Sequence, residues 1–144
     1  MTQASLIATL LAPPLLNGAE LTTLPGSVQW LEVRADLVGE IDTDWLRDHF
    51  RGRLIYSFRN DSLDRQQRLI AAAERYDRVE LEADRDFSTE LLNQVPHEKR
   101  IVSWYGRVKN PSQLRDRFDL VSSVPATLYK ITTQAETISE EFLP

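Results

Sequence analysis

The sequence predicts an α/β protein with about six parallel strands, arranged as a partial (β/α)8, TIM-barrel-like domain. Three observations lead there. Short strand-type runs alternate with helical patterns along the chain, which is how successive β/α units read. Two of the strands, Trp30 to Leu37 and Arg78 to Ala83, put charged side chains on one face and apolar ones on the other. In an antiparallel sheet such a division means one wet side and one packed side. In a parallel barrel the apolar face packs on helices and the charged face opens into a mouth at the carboxyl ends of the strands. Its recurrence on two strands favours the barrel over a flat, doubly wound sheet. The third observation is length: 144 residues fall well short of the ~250 that eight β/α units take.

The elements follow in order. Ser5 to Leu11 is an apolar strand that ends at Ala12-Pro13-Pro14, and Gly18 to Ser27 carries no clear pattern. In the second strand, Glu32, Arg34 and Asp36 share one face, with Leu31, Val33, Ala35 and Leu37 on the other. Asp42 or Thr43 caps a helix through Phe50, with Trp45, Leu46 and Phe50 on its inner side. Arg53 to Arg59 is the third strand. Ser62 is the expected N-cap of a helix to about Tyr76, striped by Leu69, Ala72, Ala73 and Tyr76.

The fourth strand, Arg78 to Ala83, sets Glu80 and Glu82 against Val79, Leu81 and Ala83. A short helix from Ser88 to Val95, a turn at Pro96-His97-Glu98 and a fifth strand from Arg100 to Tyr105 come next. Pro111 fits the first turn of a helix reaching Ser122. Ala126 to Thr133 is the sixth strand, and Glu136 to Leu143 has a helical pattern.

With 42% hydrophobic and 27% charged residues, the chain suits one domain over residues 1–144. A net charge of -5 without a basic run argues against a nucleic-acid partner. The absence of Cys excludes disulfides, thiolate metal sites and Cys nucleophiles, and is compatible with a cytoplasmic protein. No metal site is expected. The apolar run Leu6 to Leu16 is broken by Pro13-Pro14 and is shorter than the roughly 18 residues of a membrane span, so no membrane partner is expected either. No glycine loop follows the first strand, which removes the usual mark of a dinucleotide or P-loop site.

Five blocks, in order, resemble the type I 3-dehydroquinate dehydratases of the shikimate pathway, which serves aromatic amino acid biosynthesis. Glu32-Val33-Arg34-Ala35-Asp36 is similar to that family's E-x-R-x-D on the second strand, and Leu54 to Arg59 to its third strand ending in Arg. Val79-Glu80-Leu81-Glu82 is similar to its acidic fourth strand. Ile101 to Tyr105 is similar to the fifth, and Leu128-Tyr129-Lys130-Ile131 to the sixth, which carries the Schiff-base lysine.

The resemblance implies a cofactor-free lyase acting on a small-molecule substrate. Lys130 is then the nucleophile that attacks the substrate ketone, and the iminium acidifies the neighbouring carbon so that water is eliminated. A free lysine, with a pKa of about 10.4, needs burial or nearby cations such as Arg34 and Arg59 to react near neutral pH. Arg34 and Arg59 bind substrate oxygens, and Glu32 orients an arginine. All three are expected to line one mouth with Lys130.

Three departures accompany the resemblance. Tyr105 stands where the family has its catalytic His. Asn60-Asp61-Ser62 stands where the family has Glu-Gly-Gly. The family's last two strands have no counterpart here, so the expected first and sixth strands have open edges, to be covered by a homo-oligomer or an additional chain. His49 and His97 read as surface residues away from the catalytic position. The alternatives are a catalytically inactive binding or assembly module on the same fold and an unrelated open-sheet small-molecule binder.

Overall fold

The protein, described here by a computed structural model for residues 4–134, is α/β. Its six strands are β1 (Leu6–Leu10), β2 (Val28–Arg34), β3 (Arg53–Ser57), β4 (Arg78–Glu82), β5 (Arg100–Gly106) and β6 (Leu128–Thr133). They form one sheet in the order β1-β2-β3-β4-β5-β6, and the pairs with an assigned register are parallel. Parallel neighbours need a crossover, and consecutive order with helical crossovers is the arrangement of a partial (β/α)8 barrel. The described residues divide into two compact units, with the boundary between Val79 and Glu80, inside β4.

In the first unit, Leu31 pairs with Leu54 and Val33 with Tyr56, which in turn pairs with Val79, and all five are buried. Helix α3 (Thr43–His49) starts where the Asp42 carboxylate accepts the Asp44 N–H at 2.9 Å, and it buries Leu46. Helix α4 (Arg65–Arg75) buries Leu69, Ala72 and Ala73, the i, i+3, i+4 face its sequence shows. Ser62 does not cap it. The Ser62 hydroxyl is taken up by the Asp64 carboxylate, and the helix begins at Arg65, whose buried guanidinium holds the Phe58 and Asn60 carbonyls.

Two further differences concern this unit. Strand β2 ends at Arg34 rather than Leu37, because Ala35–Val38 coils into a single helical turn, α2, closed by the Gly39 N–H on the Ala35 carbonyl at 3.0 Å. Asp36 therefore leaves the strand face. Within the unpatterned stretch lies a short helix, α1 (Ala19–Thr22), entered through Gly18 at φ 63°. A Cβ on Gly18 would run into the His49 ring. That ring lies 4.3 Å from the Trp45 ring, with Nδ1 2.7 Å from the Trp45 carbonyl, so His49 is a half-buried packing residue rather than an incidental surface one.

In the second unit, β5 and β6 run in register from Ile101–Leu128 to Gly106–Thr133, and the Ala83 N–H donates to the Ser103 carbonyl at 2.8 Å. Val102 and Trp104 of β5 pack with Leu114 and Val121 of α6 (Pro111–Val121), Ala83 and Val108, with Ile131 of β6 against them. Ser88 caps α5 (Thr89–Gln94) by accepting from the Leu91 N–H at 3.2 Å, as its position before the apolar run suggests. Asn110 caps α6 by accepting from the Gln113 N–H at 2.9 Å, with Pro111 at the first turn.

The turn after Pro96 is a 3-10 helix, His97–Lys99, with His97 exposed. Buried Arg100 binds three backbone carbonyls: Nε donates to Val95 O at 2.7 Å, and its terminal nitrogens donate to Leu92 O at 2.6 Å and Pro125 O at 3.0 Å. The helix expected over residues 136–143 lies outside the described residues.

Candidate active site

Alternation along β4, β5 and β6 separates a helix-packed face from a polar one. Val102, Trp104 and Ile131 go to the α6 side. The opposite face carries Glu80 on β4, Tyr105 on β5 and Lys130 on β6, with Ser103 the register partner of Lys130. Glu80 is only 4% exposed. A buried carboxylate needs partners to offset its lost hydration. Tyr105 donates its phenolic O–H to Glu80 Oε1, and Lys130 Nζ stands 3.9 Å from the same oxygen. The Lys130 ammonium also lies 5.3 Å from the Tyr105 ring centroid, within cation–π range.

The acidic pair on β4 is thus not a solvated face. Glu82 is paired with Arg85, and its backbone N–H donates to the Asp86 carboxylate at 2.7 Å. Glu80 is the candidate site residue the sequence underweighted. Its strand pattern repeats that of Glu32 and Arg34, which was the available signal, but its contact with Tyr105 joins residues 25 positions apart.

In the first unit, Glu32 is buried at 9% exposure in the middle of β2. Arg34, at the end of the strand, grips Asp36 through two bonds, Nε to Oδ1 at 2.9 Å and Nη2 to Oδ2 at 2.7 Å. Burial by itself raises the pKa of Asp36. The hydrogen bonds and charge of Arg34, with backbone N–H donors from Asp36 and Arg59, outweigh it and hold the carboxyl below its usual 3.8. At Asp36 the Arg34 side chain thus meets the backbone N–H of Arg59. The carboxylate that forks Arg34 is Asp36, brought round by the turn of α2, a role that strand alternation did not reveal.

An unprotonated Lys130 amine is a nucleophile for a carbonyl carbon. The Glu80 carboxylate is the counter-ion of the Lys130 ammonium, and Tyr105 offers an exchangeable proton beside both. Among the described residues, no three or more His, Asp or Glu side chains gather as a metal site, and no helix is long and apolar enough to cross a membrane.

No protein-family profile matches the sequence, and no curated protein does. Among solved structures, the fold is similar to that of the 3-dehydroquinate dehydratase from Aquifex aeolicus VF5, with a TM-score of 0.64. The match has 15% sequence identity and covers 94% of this chain and 70% of that one. At this identity the likeness concerns the fold.

Proposed function

We propose that the protein is a type I-like 3-dehydroquinate dehydratase, a cytoplasmic lyase that converts 3-dehydroquinate to 3-dehydroshikimate through a Schiff base on Lys130. The observation that carries this reading is the grouping of Lys130, Glu80 and Tyr105 on the polar face of β4–β6, in a chain whose fold is similar to that of a dehydratase of this substrate. The Lys130 amine, in its neutral form, adds to the ketone carbon, and loss of water gives an iminium. The iminium withdraws electrons from the adjacent carbon, whose proton leaves to a base. The hydroxyl one carbon further departs as water, with a proton from an acid, and hydrolysis of the imine returns Lys130 and product. Tyr105 serves as the proton carrier, a weaker one at neutral pH than an imidazole because a free phenol has a pKa near 10. Arg34 and Arg59 bind substrate oxygens, and Glu32 maintains charge balance around them.

The test is intact mass after incubation with 3-dehydroquinate and sodium borohydride, with Lys130→Ala in parallel. A mass increase of one reduced substrate in the native chain alone supports the proposal. No adduct on folded protein overturns it in favour of a catalytically inactive binding or assembly module. One observation favours that second reading: Glu80 already engages both Tyr105 and Lys130, as a purely structural polar network would.

β1 and β6 end the strand order and expose Leu6, Ile7, Leu128 and Tyr129. We assign their cover to a second copy of the chain, which sedimentation velocity tests. A monomer at micromolar concentration would remove this part of the proposal.

A further inference from the structure

We propose that the connection from β5 to α6 forms a binding site for a small oxyanion, the phosphate or carboxylate group of a metabolite, separate from Lys130 and independent of the activity proposed above. A cavity of about 430 Å³ opens there, lined by Arg107, Lys109, Gln113, Asp116 and Arg117. Three cations face one carboxylate, in a chain whose net charge is -5. Such a concentration of like charge is costly when empty and favourable around an anion.

The local sequence builds this cavity in steps. Trp104 is 6% exposed, and its ring passes so close to Gly106 that a Cβ there would meet ring carbons at 2.5 Å. The Arg117 guanidinium lies over the same ring, 4.9 Å from its centroid. Stacking on an aromatic face holds the planar guanidinium in one orientation and leaves its edge for a planar or tetrahedral anion. Its Nε–H is buried and has no acceptor, although buried donors are nearly always paired. The missing partner is therefore an acceptor.

The flanking donors are arranged for the same purpose. Among the described residues, the Lys109 ammonium makes no hydrogen bond or ion pair. Gln113 Oε1 is held by the Lys109 N–H at 2.8 Å, which fixes the side chain and leaves its NH2 group as a donor. The amino end of α6, an eleven-residue helix, adds its partial positive charge.

Calorimetric titration of the full chain with inorganic phosphate, at ionic strength held constant with chloride, tests the proposal. Malonate in a parallel titration distinguishes a carboxylate from a phosphate source. The expected result is saturable one-to-one binding of at least one of the two anions. It should weaken at least tenfold in Lys109→Ser and in Arg117→Met, and remain unchanged in Lys130→Ala. The anion bound more tightly identifies the group. Lys109 is exposed, so its replacement leaves the fold intact and the test decisive even if Arg117→Met misfolds. Absence of saturable binding for both anions, equal binding by Lys109→Ser, or loss of binding in Lys130→Ala would each overturn the proposal.

Discussion

Tyr105 donates its phenolic hydrogen to Glu80, a carboxylate only 4% exposed, and so links β5 to β4 on the face that carries Lys130. Tyr105→Phe removes that donor without changing the ring. It should destabilise the protein by about 1.5–3 kcal/mol, the range for a hydrogen bond to a charged group, read from urea midpoints. Tyr105→His places an imidazole next to the same carboxylate. Turnover of 3-dehydroquinate should rise at least ~10²-fold, the lower end of what a well-placed general acid–base supplies. Unchanged turnover in a folded, trappable Tyr105→His variant would count against proton transfer from this position.

The Arg34–Asp36 pair predicts a stability difference that depends on pH. The Asp36 pKa is lower in the folded chain than its ordinary 3.8, so the pair's contribution is fully present above that value and fades as pH falls through the lower, folded value. Asp36→Asn should lose about 1.5–3 kcal/mol at pH 7. The gap between variant and native chain should close below pH 4. Urea melts at several pH values between 7 and 2 would show it, and a gap independent of pH would contradict the assignment.

Arg100→Met keeps the length of the side chain but frees the carbonyls of Leu92, Val95 and Pro125. With buried acceptors left unsatisfied at about 1–3 kcal/mol apiece, the loss should be about 3 kcal/mol or more. Arg100→Lys should recover only part of it, because one ammonium cannot reach all three carbonyls with the geometry of a guanidinium. Thermal unfolding of the three proteins orders them.

Gly106→Ala drives a methyl into the Trp104 ring. Overpacking of this kind typically costs about 1–3 kcal/mol. Because Arg117 is stacked on that ring, the same substitution should also weaken phosphate or malonate binding. A stability loss with unaltered anion binding would show that the ring does not position Arg117.

The elements whose signal is local were legible in the sequence. The period-two face of β4, the 3.6-period face of α4 and the Asp42 cap sit where the pattern puts them. Ala35–Val38 was not legible: its alternation suits a strand, whereas the turn is closed by Gly39 at φ 80° and accompanied by the Arg34–Asp36 bond. Arg100 read as an ordinary strand opening, since its carbonyl partners include Pro125, 25 positions away. Glu80 could be placed on a face but not assigned a partner, because register between strands depends on packing that a single sequence does not display.

The consecutive strand order also has a kinetic consequence. Leu6 pairs with Val28, Trp30 with Arg53, Ile55 with Arg78 and Ile101 with Leu128, so each pairing closes a loop of about 22 to 27 residues. Closure entropy grows only slowly with length, and these loops are nearly equal, so none of these four pairings faces a much larger entropic barrier than the others. During synthesis each β/α unit can dock as it emerges from the ribosome onto the strand made just before it. A chain of this topology is suited to vectorial assembly, with no need to wait for a distant segment before pairing begins.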